Sequence, residues 1–326
     1  MKRRIARLAA MDITTLSTVV RGTVRTPDSG GSAAVAEVRV ATPHDISATM
    51  RFASQRRIRV TTSRTPSPDE VALDLTALKG ITVSDGVAEV QAGATWAELD
   101  AATQAHGLAT PGPRLSHTSV VAAVLGRAQG WLTPLHGTTR DNLVRAECIT
   151  AEGRLVTTEE PEGVVTSVTL KLHPLEHKVY GGVLLYRLAD APAALGVLGE
   201  LARRGREFAG LAAYVTAPPE RFVPGDLVGR RVLAVVPAFM GDPVIGASYA
   251  RPLRVKARPL VDQARPLAYV EQQSLFDPYV PHHLRCDTSE VPALTTGLLR
   301  HFEDTSTALR VLVPHQSGWT VHEGEL

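Results

Sequence analysis

Between residues 36 and 92, apolar side chains recur at every second position in separate short stretches, and one capped helix interrupts them. Ala36 to Val40, Val71 to Leu75 and Val87 to Ala92 each alternate with period two, which puts successive side chains on opposite faces of a strand. Thr42 offers an N-cap, Pro43 suits the first helical position and Asp45 complements the helix dipole, so a helix runs from there to about Gln55. Ile58 to Thr61 follows as a short strand. This order excludes an all-helical fold and opens an α/β unit instead.

The same reading continues along the chain. Thr95 and Glu98 form a capping box in Gly93-Ala94-Thr95-Trp96-Ala97-Glu98, which starts a helix that Gly107 ends. His106 beside Gly107 is therefore helix punctuation rather than a catalytic base. Glu147 to Thr150 and Leu155 to Thr158 make a hairpin turning at Gly153, and Val164 to Leu172 is a strand stopped by Pro174. Beyond His177 a strand is expected at Gly182 to Tyr186, helices near 191–204 and 290–304, and a strand at Val232 to Phe239. Pro174 lies between His173 and His177 and forbids the helix that would align them on a metal.

Composition then removes whole classes of function. Thirty-five basic and 33 acidic side chains leave a formal charge of +2, too weak a field for a nucleic-acid partner. No stretch approaches the roughly 20 apolar residues that span a bilayer, and the opening Met1-Lys2-Arg3-Arg4 leads into no apolar run, so no membrane segment and no export signal is expected. Two cysteines, Cys148 and Cys286, exclude a disulfide framework and a thiolate metal cage and fit the cytoplasm. At 326 residues two domains are expected. The boundaries read as a poorly ordered N-terminus over 1–19, a first domain over 20–177 and a second over 178–326. A second start is available at Met11.

Four motifs stand in order between Val90 and Arg154: Gln91-Ala92-Gly93-Ala94-Thr95-Trp96, Gly107-Leu108-Ala109-Thr110-Pro111-Gly112, Gly130-Trp131-Leu132 and Asp141-Asn142-Leu143. With Gly163-Val164-Val165-Thr166-Ser167 and Leu172-His173-Pro174, the chain resembles the FAD-linked oxidases of the vanillyl-alcohol-oxidase or PCMH-type class, in their berberine-bridge-enzyme-like branch. The resemblance covers roughly residues 20–310. It implies an α+β, two-domain PCMH-type FAD-binding fold with a truncated α+β substrate domain, and FAD extended between the domains. It implies oxidation of an alcohol, sugar, amine or phenol by oxygen. The cofactor positions it implies are Pro111, Gly112, Ser116, Thr118, Ser119, Gly126, Gly130, Trp131, Val164 and Val165.

The departures from that pattern are as informative as the matches. Where the family carries a glycine-rich phosphate loop with a histidine, this chain reads Thr61-Thr62-Ser63-Arg64-Thr65-Pro66-Ser67-Pro68-Asp69, with no glycine and two prolines that donate nothing. Ser119, Ala122, Arg127 and Ala128 stand where the family has glycine, and Ser116 stands at the position of a flavin-linking cysteine. Both covalent anchors are thereby lost, so any FAD is noncovalent. Glu159-Glu160-Pro161-Glu162 replaces a longer segment with acidic residues that repel a dianionic cofactor. The family's closing C-terminal strand is not expected before Leu326.

In the second domain Tyr269, Gln273, His283 and Arg285 fall where the resemblance places the substrate pocket. Tyr269 and His283 are the catalytic candidates, with His283 an acid or base near neutral pH, and Gln273 and Arg285 bind an anionic or enolisable small molecule. No metal site is expected. The expected function is that of a noncovalent FAD oxidase of a small organic or natural-product substrate. The alternatives are a cofactor-free cyclase or isomerase, and a non-catalytic scaffold pairing with a full-length paralogue. Homo-oligomerisation is the other form of association considered.

Overall fold

The computed structural model describes residues 13, 15–26, 34–63, 65–175, 178–280, 286–304 and 308–325. They form two compact units, each assembled from several stretches of chain. The first runs to Thr103 and adds Thr118–Gly126 and Asn142–Leu172; the second comprises Gln104–His117, Arg127–Asp141 and the chain from His173 onward. Residues 104–117 and 127–141, within the stretch 20–177, are thus part of the unit that contains most of 178–326.

The first unit holds two sheets. In one, Ala36–Arg39, Glu70–Asp74 and Arg59–Thr61 run parallel, with Thr23–Arg25 added antiparallel at the edge. The helix Pro43–Arg56 makes the crossover, as its capping residues foretold. Its Ile46 and Phe52 pack with Val38, Val71 and Leu73 in one core. The second sheet is antiparallel, in the order Ile81–Ser84, Val87–Gln91, Val164–Lys171, Leu143–Ile149, Leu155–Thr158. The hairpin of its last two strands by order turns where Gly153 takes φ 75°, a left-handed conformation that glycine enters without a Cβ clash. The capping box of helix Trp96–Gln104 forms as read: the Thr95 N–H donates to Glu98 Oε2 at 2.8 Å, and the Glu98 N–H donates to Thr95 Oγ1 at 3.4 Å.

The second unit is built on a nine-stranded sheet whose main path runs Val261–Asp262, Leu184–Tyr186, Arg231–Phe239, Phe208–Thr216, Ala308–His315, Gly318–Glu325, Cys286–Val291. Successive residues of its central strands serve opposite faces. Phe208, Ala212 and Tyr214 join Leu195 and Leu198 of helix Ala191–Arg204 with Leu253 of helix Pro243–Ala257, while Ala209 and Leu211 join Trp131, Met240 and Tyr269. Burial on both faces explains why these strands read as unbroken apolar runs rather than as alternation.

Two expectations change here. The helix read over 290–304 is confined to Thr296–Asp304, because Cys286–Val291 pairs with Gly318–Glu325 as a strand and Pro292 ends it. Pro243–Ala257 is helical despite Pro252 inside it, an element that a proline-based reading does not place. No helix among the described residues is long and apolar enough to cross a membrane.

Candidate functional site

The second unit brings one group of sequence-predicted positions together. Gly130 packs directly on Gly112: a Cβ built on it would lie 1.9 Å from the Gly112 carbonyl oxygen, so these two backbones meet only because residue 130 lacks a side chain.

The Gly130 N–H donates to Thr133 Oγ1 at 2.8 Å, and Trp131 is 1% exposed, stacked on Phe276. Ser116 is held by Asp277, whose Oδ1 accepts from the Ser116 N–H at 3.0 Å and whose Oδ2 accepts from its hydroxyl. His117 Nδ1 lies 3.7 Å from the same carboxylate. The helix Tyr269–Gln273 joins this group, with Gln273 Nε2 donating to the Pro113 carbonyl and Tyr269 packed among apolar side chains. Pro111 and Gly112 are buried beside them in the chain.

The remaining predicted positions belong to the first unit and have local structural partners. The Thr118 carbonyl accepts from the Trp96 N–H at 2.8 Å. Ser119 caps the short helix Val120–Leu125, its hydroxyl accepting from the Ala122 N–H, and Gly126 closes that helix. Val164 and Val165 are buried in a strand paired with Leu143–Ile149. His283 and Arg285 lie outside the described residues.

The second unit also contains a cavity of about 610 Å³, of whose lining the sequence pointed only to Gly130. Arg114, Arg206, Glu290, His315 and Thr320 supply its polar lining, and Pro134, Ala209, Val313 and Pro314 its apolar lining. Glu290 Oε2 is 2.8 Å from His315 Nε2, and its Oε1 accepts from the Thr320 hydroxyl at 2.7 Å. Those partners, Thr320 first, hold the Glu290 carboxyl below its ordinary range. Burial lowers the Arg114 guanidinium to about 10. Burial also lowers His322, and the positive charge of Arg114 acts in the same direction. These groups come from segments far apart in the chain, so no spacing rule points to them.

Comparison with known proteins identifies the chain's relatives. Residues 34–159 match the FAD binding domain family. An FAD-linked oxidoreductase of Dictyostelium discoideum is 29% identical over 230 residues, covering 65% of this chain and 48% of the relative. A second, FAD-linked oxidoreductase pgmH of Aspergillus terreus, is 27% identical over 170 residues, or 45% of this chain and 34% of the relative. The chain is thus similar to FAD-linked oxidoreductases and carries a segment like their FAD binding domain. It spans about half or less of the length of these two relatives. Its fold is that of the PCMH-type, berberine-bridge-enzyme-like oxidases. The 6-hydroxy-D-nicotine oxidase of Arthrobacter nicotinovorans superposes with a TM-score of 0.77 at 17% identity, covering 94% of this chain and 81% of that one. Berberine bridge enzyme from Eschscholzia californica gives 0.77 at 15% identity, covering 95% and 78%.

Residues 61–70 have their backbone donors engaged locally. The Ser63 N–H donates to Thr61 Oγ1 at 3.1 Å, the Thr65 N–H to Ser63 Oγ at 3.2 Å and the Ser67 N–H to Glu70 Oε2 at 2.8 Å. A pyrophosphate cradle needs such donors free and convergent, and Pro66 and Pro68 supply none. The described residues of this stretch, 61–63 and 65–70, therefore do not fit a pyrophosphate. Elsewhere the backbone keeps a shape suited to glycine: Arg127 holds φ 51° at a position where the oxidase pattern has glycine.

Proposed function

We propose that this protein is an FAD-linked oxidoreductase acting on a small organic molecule, with FAD held noncovalently and without a cradle from residues 61–70. The match of residues 34–159 to the FAD binding domain family carries this reading. Ser116 at the cysteine position and the absence of histidine from residues 61–70 support noncovalent attachment. When bound, the flavin supplies the redox chemistry. The cofactor positions remain Pro111, Gly112, Ser116, Thr118, Ser119, Gly126, Gly130, Trp131, Val164 and Val165. Tyr269 and His283 remain the acid–base candidates, with Gln273 and Arg285 for the substrate.

The engaged N–H groups of residues 61–70 favour a second reading, a cofactor-free cyclase or isomerase that keeps the fold. A visible absorption spectrum of the purified protein, taken before and after incubation with excess FAD and desalting, separates the two. Flavin bands that survive desalting are the result expected of the oxidoreductase. A folded, colourless protein refutes it and leaves the second reading.

A further inference from the structure

Arg114 is a half-buried cation with no ion-pair partner among the described residues. Its Nη2 donates to the Gly130 carbonyl at 3.4 Å, its guanidinium lies 5.2 Å from the Trp131 ring centroid, and its Nε is buried without a hydrogen-bond partner. Neither contact neutralises the charge, and a buried charge without a counter-ion is costly. Arg206, on the same cavity, donates from Nε and Nη2 to the carbonyls of Pro134 and Leu135, both at 2.7 Å. Glu290 is the one carboxylate in the lining, and it is engaged by His315 and Thr320. Two guanidinium groups against one carboxylate leave one positive charge in excess.

We propose that this cavity binds a small monocarboxylate with a flat apolar body, its carboxylate serving as the counter-ion of Arg114. A single negative charge closes the imbalance, and guanidinium is suited to the planar carboxylate. Pro134, Ala209, Val313 and Pro314 provide the apolar wall for the rest of the ligand, and about 610 Å³ lies within the range of small-molecule sites. The site goes beyond the oxidoreductase reading, because carboxylate binding requires no flavin.

Isothermal titration calorimetry on the full chain tests it, with benzoate as the probe and benzamide as its neutral counterpart. Benzoate is expected to bind at least about tenfold more tightly than benzamide, and Arg114→Gln to weaken benzoate by about ten- to a hundredfold. Arg114→Lys keeps the charge and is expected to fall between the two, which preserves the comparison if the glutamine variant does not fold. Equal affinity for benzoate and benzamide, or unchanged benzoate binding in the variants, overturns the proposal. So does displacement of benzoate by inorganic phosphate or FAD at lower concentration than benzoate itself requires, which assigns the cation to a phosphate-bearing ligand. The readout is heat rather than colour, so a protein that stays colourless after incubation with excess FAD yet binds benzoate refutes the oxidoreductase reading while sustaining this one.

Discussion

Asp100 is 2% exposed on helix Trp96–Gln104, and among the described residues neither carboxylate oxygen has a hydrogen-bond partner. Burial raises its pKa well above the usual carboxylate range, opposed by the neighbouring Trp96 indole. The folded chain therefore keeps a proton that the unfolded chain releases near pH 3.9. The unfolded state binds fewer protons above that pH, so stability is greatest in acid and falls as pH rises toward the folded-state value. The loss is about 1.4 kcal/mol per pH unit, with a ceiling of about 4 kcal/mol at pH 7 if the proton is still held there. Asp100→Asn has nearly the same shape and cannot ionise. Urea unfolding at pH 4 and pH 7 should find the two proteins nearly equal in acid and the variant more stable at neutral pH, by at most about 4 kcal/mol. A gain of equal size at both pH values, or a variant less stable at pH 7, refutes the reasoning.

Asp45 shows the opposite sign. It is fully buried and accepts backbone N–H bonds from Arg21 at 2.6 Å, Gly22 at 3.2 Å, Ala41 at 2.8 Å and Thr42 at 3.1 Å. Burial acts to raise its pKa, but the four donors together lower it, so its contribution is present above the ordinary carboxylate value and lost as pH falls through the folded one. Asp45→Ala should cost at least about 3 kcal/mol in urea unfolding at pH 7, and much less in acid. Gly130→Ala should cost about 3 kcal/mol, read as a lower urea midpoint at unchanged slope, because its Cβ meets the Gly112 carbonyl oxygen at 1.9 Å.

Local signals in the sequence located much of the first unit. Thr42, Pro43, Asp45, Thr95, Glu98 and Gly153 act within a few residues of themselves, so capping and turn chemistry place their elements directly. The second unit was harder to read, since Phe208–Thr216 is buried on both faces and loses the alternation that marks a strand. Of the cavity, only Gly130 was legible. Arg114 meets Gly130 across a loop, and Glu290 meets His315 only through strand pairing 25 residues apart. Tyr269 and Gln273 share one short helix, yet Gln273 is committed to the Pro113 carbonyl, a contact 160 residues distant in the chain.

The left-handed backbone at Arg127 separates two kinds of evolutionary change. Replacing arginine by glycine there needs no new path for the chain, so that step is open to a single substitution. Pro66 and Pro68 impose their own dihedral angles and remove two donors, so restoring an anion cradle over residues 61–70 requires several changes together. One departure is reversible in isolation and the other is not.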